Sequence, residues 1–237
     1  GRQMTLGGQV PVKPPVKKLI AERPIKAEGQ AFRVARPPAF DGSFDGFDGS
    51  GPLELADESH YLRSEEAYES PETFSATALV NWGADALYLG VEVVKPDVVL
   101  QPADAAPLGF DNDSDDIHAD GIQVYYRAGG VDRAFLIRPD GDGGLLARAI
   151  GGSERVALEG ASSVHEGGYL LTVALPCPEL ATIGERARID FDLCVNEMRG
   201  DRVRRAGQLC WGGGGGWVYL RGDARDPSQW GVLDLIE

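Results

Sequence analysis

From residue 73 onward, hydrophobic and polar residues alternate with a period of two, the spacing of half-buried β-strands. In TFSATALVN (73–81), Phe74, Ala76, Ala78 and Val80 fall on one face, and in ALYLGVEVV (86–94) so do Leu87, Leu89, Val91 and Val93. RIDFDLCVN (188–196) alternates most cleanly, with Ile189, Phe191, Leu193 and Val195 set against Asp190, Asp192, Cys194 and Asn196. The same reading predicts strands over 122–127, 133–138, 145–150, 168–175, 207–211 and 232–236. Glycine-rich turn signals separate them: Gly83-Ala84-Asp85, the run from Asp140 to Gly144, Gly151-Gly152 and Gly167-Gly168. No 3.6-residue period is sustained, and short helical turns are expected only around 60–69 or 178–183. Many short strands with glycine turns predict an all-β fold, an antiparallel two-sheet β-sandwich.

Residues 1–40 break this pattern and hold six of the fifteen prolines. Proline fixes φ and removes a ladder donor. Residues 1–39 are therefore expected to form a Pro-rich basic linker or edge-strand extension joined to something upstream, and 40–237 the sandwich. Charge divides at the same place. The first 40 residues carry eight basic and two acidic side chains, so the formal −14 of the 237-residue chain leaves −20 on the remainder. A body this acidic lacks the basic face that phosphate backbones require, which removes nucleic acid as the default partner. The 43% hydrophobic content is enough to fill a core and argues against disorder. No apolar run approaches the roughly 18 residues of a membrane span, so no membrane partner is expected.

Three cysteines (Cys177, Cys194, Cys210) lack the CxxC spacing of a structural zinc site. Cys194 and Cys210 can pair if their strands are neighbours, and buried free thiols are the alternative. Two aspartate-rich stretches bear on metals. DGSFDGFDGSG (41–51) places Asp41 and Asp45 beside flexible glycines, and DNDSDDIHAD (111–120) crowds Asp111, Asp113, Asp115, Asp116 and Asp120 together. Carboxylates this close repel one another, so a bound Ca²⁺ would relieve the repulsion. Plain turns and a solvated acidic loop are the alternatives. His118, inside the second stretch, is a candidate ligand. Five glycines (212–216) between Trp211 and Trp217 lack the Gly-Lys-Ser/Thr ending of a phosphate loop. They read instead as a loop presenting two indoles, whose faces stack on sugar rings when exposed and pack a core when not. Catalytic signatures such as HExxH and GxSxG are absent from the sequence.

The order of segments resembles carbohydrate-binding module family 9, within the wider DOMON-like β-sandwich group. FDG (40–42), ALVNWGADALYLGVEV (78–93), DGIQVYY (120–126), GGYLLTVALP (167–176), IDFDLCVNEM (189–198), Trp211 and DPSQWGVLDL (226–235) follow one another as the family's motifs do. The resemblance covers about 40–237. It implies a non-catalytic module with structural calcium, attached to a polysaccharide-degrading enzyme and holding a glycan end between two tryptophans. Trp211 takes the place of one of them, and Asn196 that of a polar residue ending the preceding strand. Where the family has its other tryptophan this chain has Ile117, its glutamate corresponds to Gln123, and an expected arginine falls at Leu136.

The expected partner is therefore a polysaccharide or oligosaccharide, met by Trp211, Trp217, Asn196, Gln123, Tyr125 and His118. A catalytic module is expected in the same parent chain, and the protein is expected to be secreted or periplasmic. The alternative readings are an accessory structural domain that binds no sugar and a haem-binding domain of the DOMON type.

Overall fold

The structure is a computed structural model and describes residues 26–101, 118–183, 187–200, 205–215, 217 and 224–237. It is all-β. The strands are β1 (Glu28–Arg33), β2 (Leu53–Leu55), β3 (Tyr61–Arg63), β4 (Ser75–Trp82), β5 (Ala86–Val94), β6 (Gly121–Ala128), β7 (Val131–Pro139), β8 (Leu145–Ala149), β9 (Arg155–Val156), β10 (Gly160–His165), β11 (Gly168–Pro176), β12 (Arg188–Glu197), β13 (Gly207–Cys210) and β14 (Gly231–Ile236). Among the described residues helical structure is limited to 3₁₀ turns at Glu58–His60, Pro178–Ala181 and Pro227–Gln229.

Where two separate antiparallel sheets were expected, the strands join in one curled mixed sheet, ordered β10-β11-β5-β4-β1-β14-β12-β6-β7-β8-β9. β13 pairs with β12 and β3, and β2 pairs with β4. The join is β1, which runs parallel to β14 on one side and to β4 on the other. Its sequence EGQAFR contains no proline, so every N–H is free to enter a ladder. This stretch of the basic segment thus lies inside the sheet, while Pro37 and Pro38 follow it.

The sheet curls until its far ends touch. Ser162 of β10 donates from its N–H to Gly143 O (2.9 Å) and from its hydroxyl to Gly144 O (2.7 Å), both in the turn between β7 and β8. Within the curl, the Tyr126 hydroxyl reaches from β6 to Pro176 O at the end of β11 (2.7 Å). The enclosed core contains the faces marked by alternation: Ala76, Ala78 and Val80; Leu87, Leu89, Val91 and Val93; Ile189, Phe191, Leu193 and Val195. The complementary residues of β6, β12 and β13 project from the other face, where the candidate site lies.

Candidate functional site

Register decides which side chains share that outer face. Gln123 stands opposite Leu136 on one side and Cys194 on the other. Tyr125 stands opposite Asp192, and Asn196 opposite Gln208. β6, β12 and β13 thereby set Gln123, Asn196 and Gln208 beside one another. Their amides are hydrogen-bonded in one direction: Gln208 Nε2 donates to Gln123 Oε1 (2.5 Å) and to Asn196 Oδ1 (2.7 Å). Arg205 Nη1 also donates to Asn196 Oδ1 (3.3 Å).

Both acceptor oxygens are therefore used, while three buried donors have no partner among the described residues: Gln123 Nε2, Asn196 Nδ2 and Arg205 Nε. An unmatched buried donor costs about 1–3 kcal/mol, so a cluster of three is a site that favours an oxygen-bearing ligand. Arg148, the cross-strand partner of Leu136, stands one strand away from the position where the family resemblance expects an arginine, and its Nη1 donates to Gly152 O (3.0 Å).

Beside this cluster the β13 turn is pinned to β12. Asp192 Oδ1 accepts from Gly212 N (2.7 Å) and Leu193 N (3.0 Å), and Arg225 binds the same carboxylate while donating to Gly213 O (2.7 Å). Burial pushes the Asp192 carboxyl above its ordinary value, and the Arg225 guanidinium acts in the opposite direction. Tyr125 packs against Trp230, ring centroids 5.7 Å apart and tilted by 38°, in a small apolar cluster with Cys194 and Cys210.

The structure thus brings together three of the residues the sequence singled out: Gln123, Asn196 and Tyr125. His118 is buried in the bend that leads into Gly121, the cross-strand partner of Asn196. The two loop tryptophans lie elsewhere. Trp211 follows Cys210 and so faces the other way, into the core, where it meets Phe191 edge-to-face at 6.0 Å. Glycines make room for it: a Cβ on Gly231 would lie 2.4 Å from the indole, and one on Gly29 3.0 Å. Trp217 is 51% exposed, with the Arg63 guanidinium stacked 5.3 Å above its ring.

Gln208 and Arg205 were not singled out in the sequence. Gln208 alternates with core residue Leu209, which marks it as outward-facing, but its position opposite Asn196 depends on long-range pairing. Of the candidate metal ligands, Asp111, Asp113, Asp115 and Asp116 lie outside the described residues. Asp120 is buried and accepts from Lys95 Nζ (2.8 Å), Val99 N (2.6 Å) and Met198 N (2.8 Å), so its lone pairs are already engaged. Asp41 accepts from the N–H and hydroxyl of Ser43 in a local turn, and Asp45 is exposed. Among the described residues no three His, Cys, Asp or Glu side chains converge as a metal site.

A family profile described as carbohydrate family 9 binding domain-like matches residues 54–237. Among solved structures the chain is similar to a carbohydrate binding module family 9 from Caldicellulosiruptor kristjanssonii in complex with cellotriose. The TM-score is 0.57 at 17% identity, covering 87% of this chain and 93% of that one. A family 9 module from the same organism in complex with glucose matches with a TM-score of 0.52 at 16% identity, covering 87% and 95% of the two chains. At these identities the likeness is one of fold. No curated protein matches the sequence.

Proposed function

The chain belongs to the carbohydrate family 9 binding domain-like family, and on that premise we propose that it is a non-catalytic module binding a polysaccharide or oligosaccharide over β6, β12 and β13. The observation that carries this reading is the trio of buried, unspent donors on Gln123, Asn196 and Arg205. Sugar hydroxyl and ring oxygens accept hydrogen bonds, and neutral amides suit a neutral polyol better than an ion. The solved relatives hold cellotriose and glucose, so these are the first ligands to try. The reading is non-catalytic because the family the chain belongs to is described as a binding domain. In this reading the module targets an attached glycan-degrading module of the same parent chain, in a secreted or periplasmic setting.

Titration calorimetry against cellotriose, glucose and a panel of plant and microbial polysaccharides tests it. Asn196→Ala and Gln123→Ala should each weaken sugar binding about tenfold or more, the equivalent of one lost hydrogen bond of about 1.4 kcal/mol. Unchanged affinity in both variants would move the site elsewhere. A second reading, an accessory structural domain, draws on burial: Gln123 is 2% exposed, Asn196 0% and Leu136 1%. A complete absence of binding across the panel selects it.

The proposal of structural calcium rests on Asp111, Asp113, Asp115 and Asp116, with Asp41 and Asp45 as a second candidate set, while Asp120 is committed to Lys95. Excess chelator should lower the melting temperature, by linkage between metal and folded state. Superimposable melts with and without chelator would remove calcium from the reading.

A further inference from the structure

Cys194 of β12 stands directly opposite Cys210 of β13 in an antiparallel ladder. Trp211 N donates to Leu193 O (2.8 Å), which makes 193 and 211 a hydrogen-bonded pair. One step along, 194 and 210 are a non-hydrogen-bonded pair, the closer kind, with a Cα separation of about 4.5 Å. That lies inside the range of about 4.4–6.8 Å that a disulfide spans. Both side chains project from the outer face of the sheet. They are 1% and 0% exposed and packed with Tyr125 and Trp230. Cys177 lies apart, where its thiol meets the Glu179 carboxylate.

We propose that Cys194 and Cys210 close a cross-strand disulfide when the chain folds in the presence of a disulfide oxidant. One cysteine thiolate attacks a sulfur of the oxidant and displaces its first thiolate, forming a mixed disulfide. The second cysteine thiolate then attacks the protein sulfur of that intermediate and expels the other thiolate. The two protein thiols lose two electrons and two protons, and the oxidant is reduced to two thiols. Burial pushes the Cys194 thiol well above its ordinary value, so the folded chain holds little thiolate. Exchange therefore belongs to the open stage of folding, and the finished bond is shielded from reductant. It fastens β13, and the turn that starts at Trp211, to the strand carrying Asn196.

The test is refolding of the reduced, denatured chain in glutathione disulfide and glutathione, followed by alkylation in denaturant and mass analysis. The expected result is one alkylated thiol, Cys177, a mass lower by two hydrogens, and a linked peptide joining 194 to 210. The linked protein should resist dithiothreitol until denaturant is added, and its folding equilibrium should exceed that of the reduced form by roughly 100-fold, as for a closed loop of this length. In Cys177→Ala no thiol should remain. Three alkylated thiols, a glutathione adduct or a linkage through Cys177 would overturn the proposal, and none of these outcomes depends on sugar binding.

Discussion

Replacing Lys95 by methionine is expected to destabilise the fold by about 3–5 kcal/mol, because it leaves a buried carboxylate without its counter-charge. The Lys95 ammonium lies 2.8 Å from Asp120, with the two side chains 6% and 0% exposed. The carboxylate also accepts from Val99 N and Met198 N, tying the segment after β5 and the bend before β6 to the end of β12. An open cleft of about 680 Å³ lies beside this junction, lined by Lys95, Val99, Glu197 and Met198 among others. Burial pushes the Asp120 carboxyl up to about 6, which still leaves it ionised at neutral pH. Without the ammonium it rises further.

The sign of the pH effect follows from proton counting. Between the unfolded carboxyl value, about 4, and the raised folded value, the folded chain holds a proton that the unfolded chain has released. Stability therefore falls as pH rises through that window. The variant's higher folded value extends that fall to higher pH, so the Lys95→Met deficit should grow as pH rises above about 6 and be smaller at pH 4.5, where the folded carboxyl is protonated in both proteins. Urea unfolding of both proteins at pH 7.5 and pH 4.5 measures this. A deficit below about 1 kcal/mol at pH 7.5, or an equal deficit at both pH values, contradicts the assignment. Adding Asp120→Asn should recover much of the loss, since the amide oxygen can still accept from Val99 N.

Trp211→Ala is expected to cost about 3–5 kcal/mol, the penalty for truncating a buried indole. Its ring packs edge-to-face on Phe191 and fills the space kept open by Gly29 and Gly231. An exposed sugar platform would behave otherwise, since surface substitutions usually stay within about 0.5 kcal/mol. Chemical denaturation separates the two roles, and a near-wild-type midpoint would contradict the core placement.

The placement of Trp211 also shows how far the sequence carries. Alternation through GQLCW already sets Trp211 on the face of Leu209, away from Gln208 and Cys210. The neighbouring glycine run suggested a loop-borne indole, yet local period proved the better guide. The strand RIDFDLCVN was legible down to which residues enter the core, because burial on one face imposes a period of two. What it could not disclose was register. Asn196 meets Gln208, and Cys194 meets Cys210, only through pairing between separate segments. β1 was hidden for a related reason: its six residues sit in a proline-rich stretch, and both partners, β14 and β4, are distant in sequence. Asp120 looked like one more member of an acidic loop, and only the fold reveals Lys95 as its partner.

The most direct test of the ligand site is an NMR titration of the side-chain amides with cellotriose, or with whichever sugar of the calorimetric panel binds. The site over β6, β12 and β13 predicts that the amide resonances of Gln123, Asn196 and Gln208 move together and saturate with the calorimetric affinity. A sugar that binds with those three resonances unmoved would contradict it.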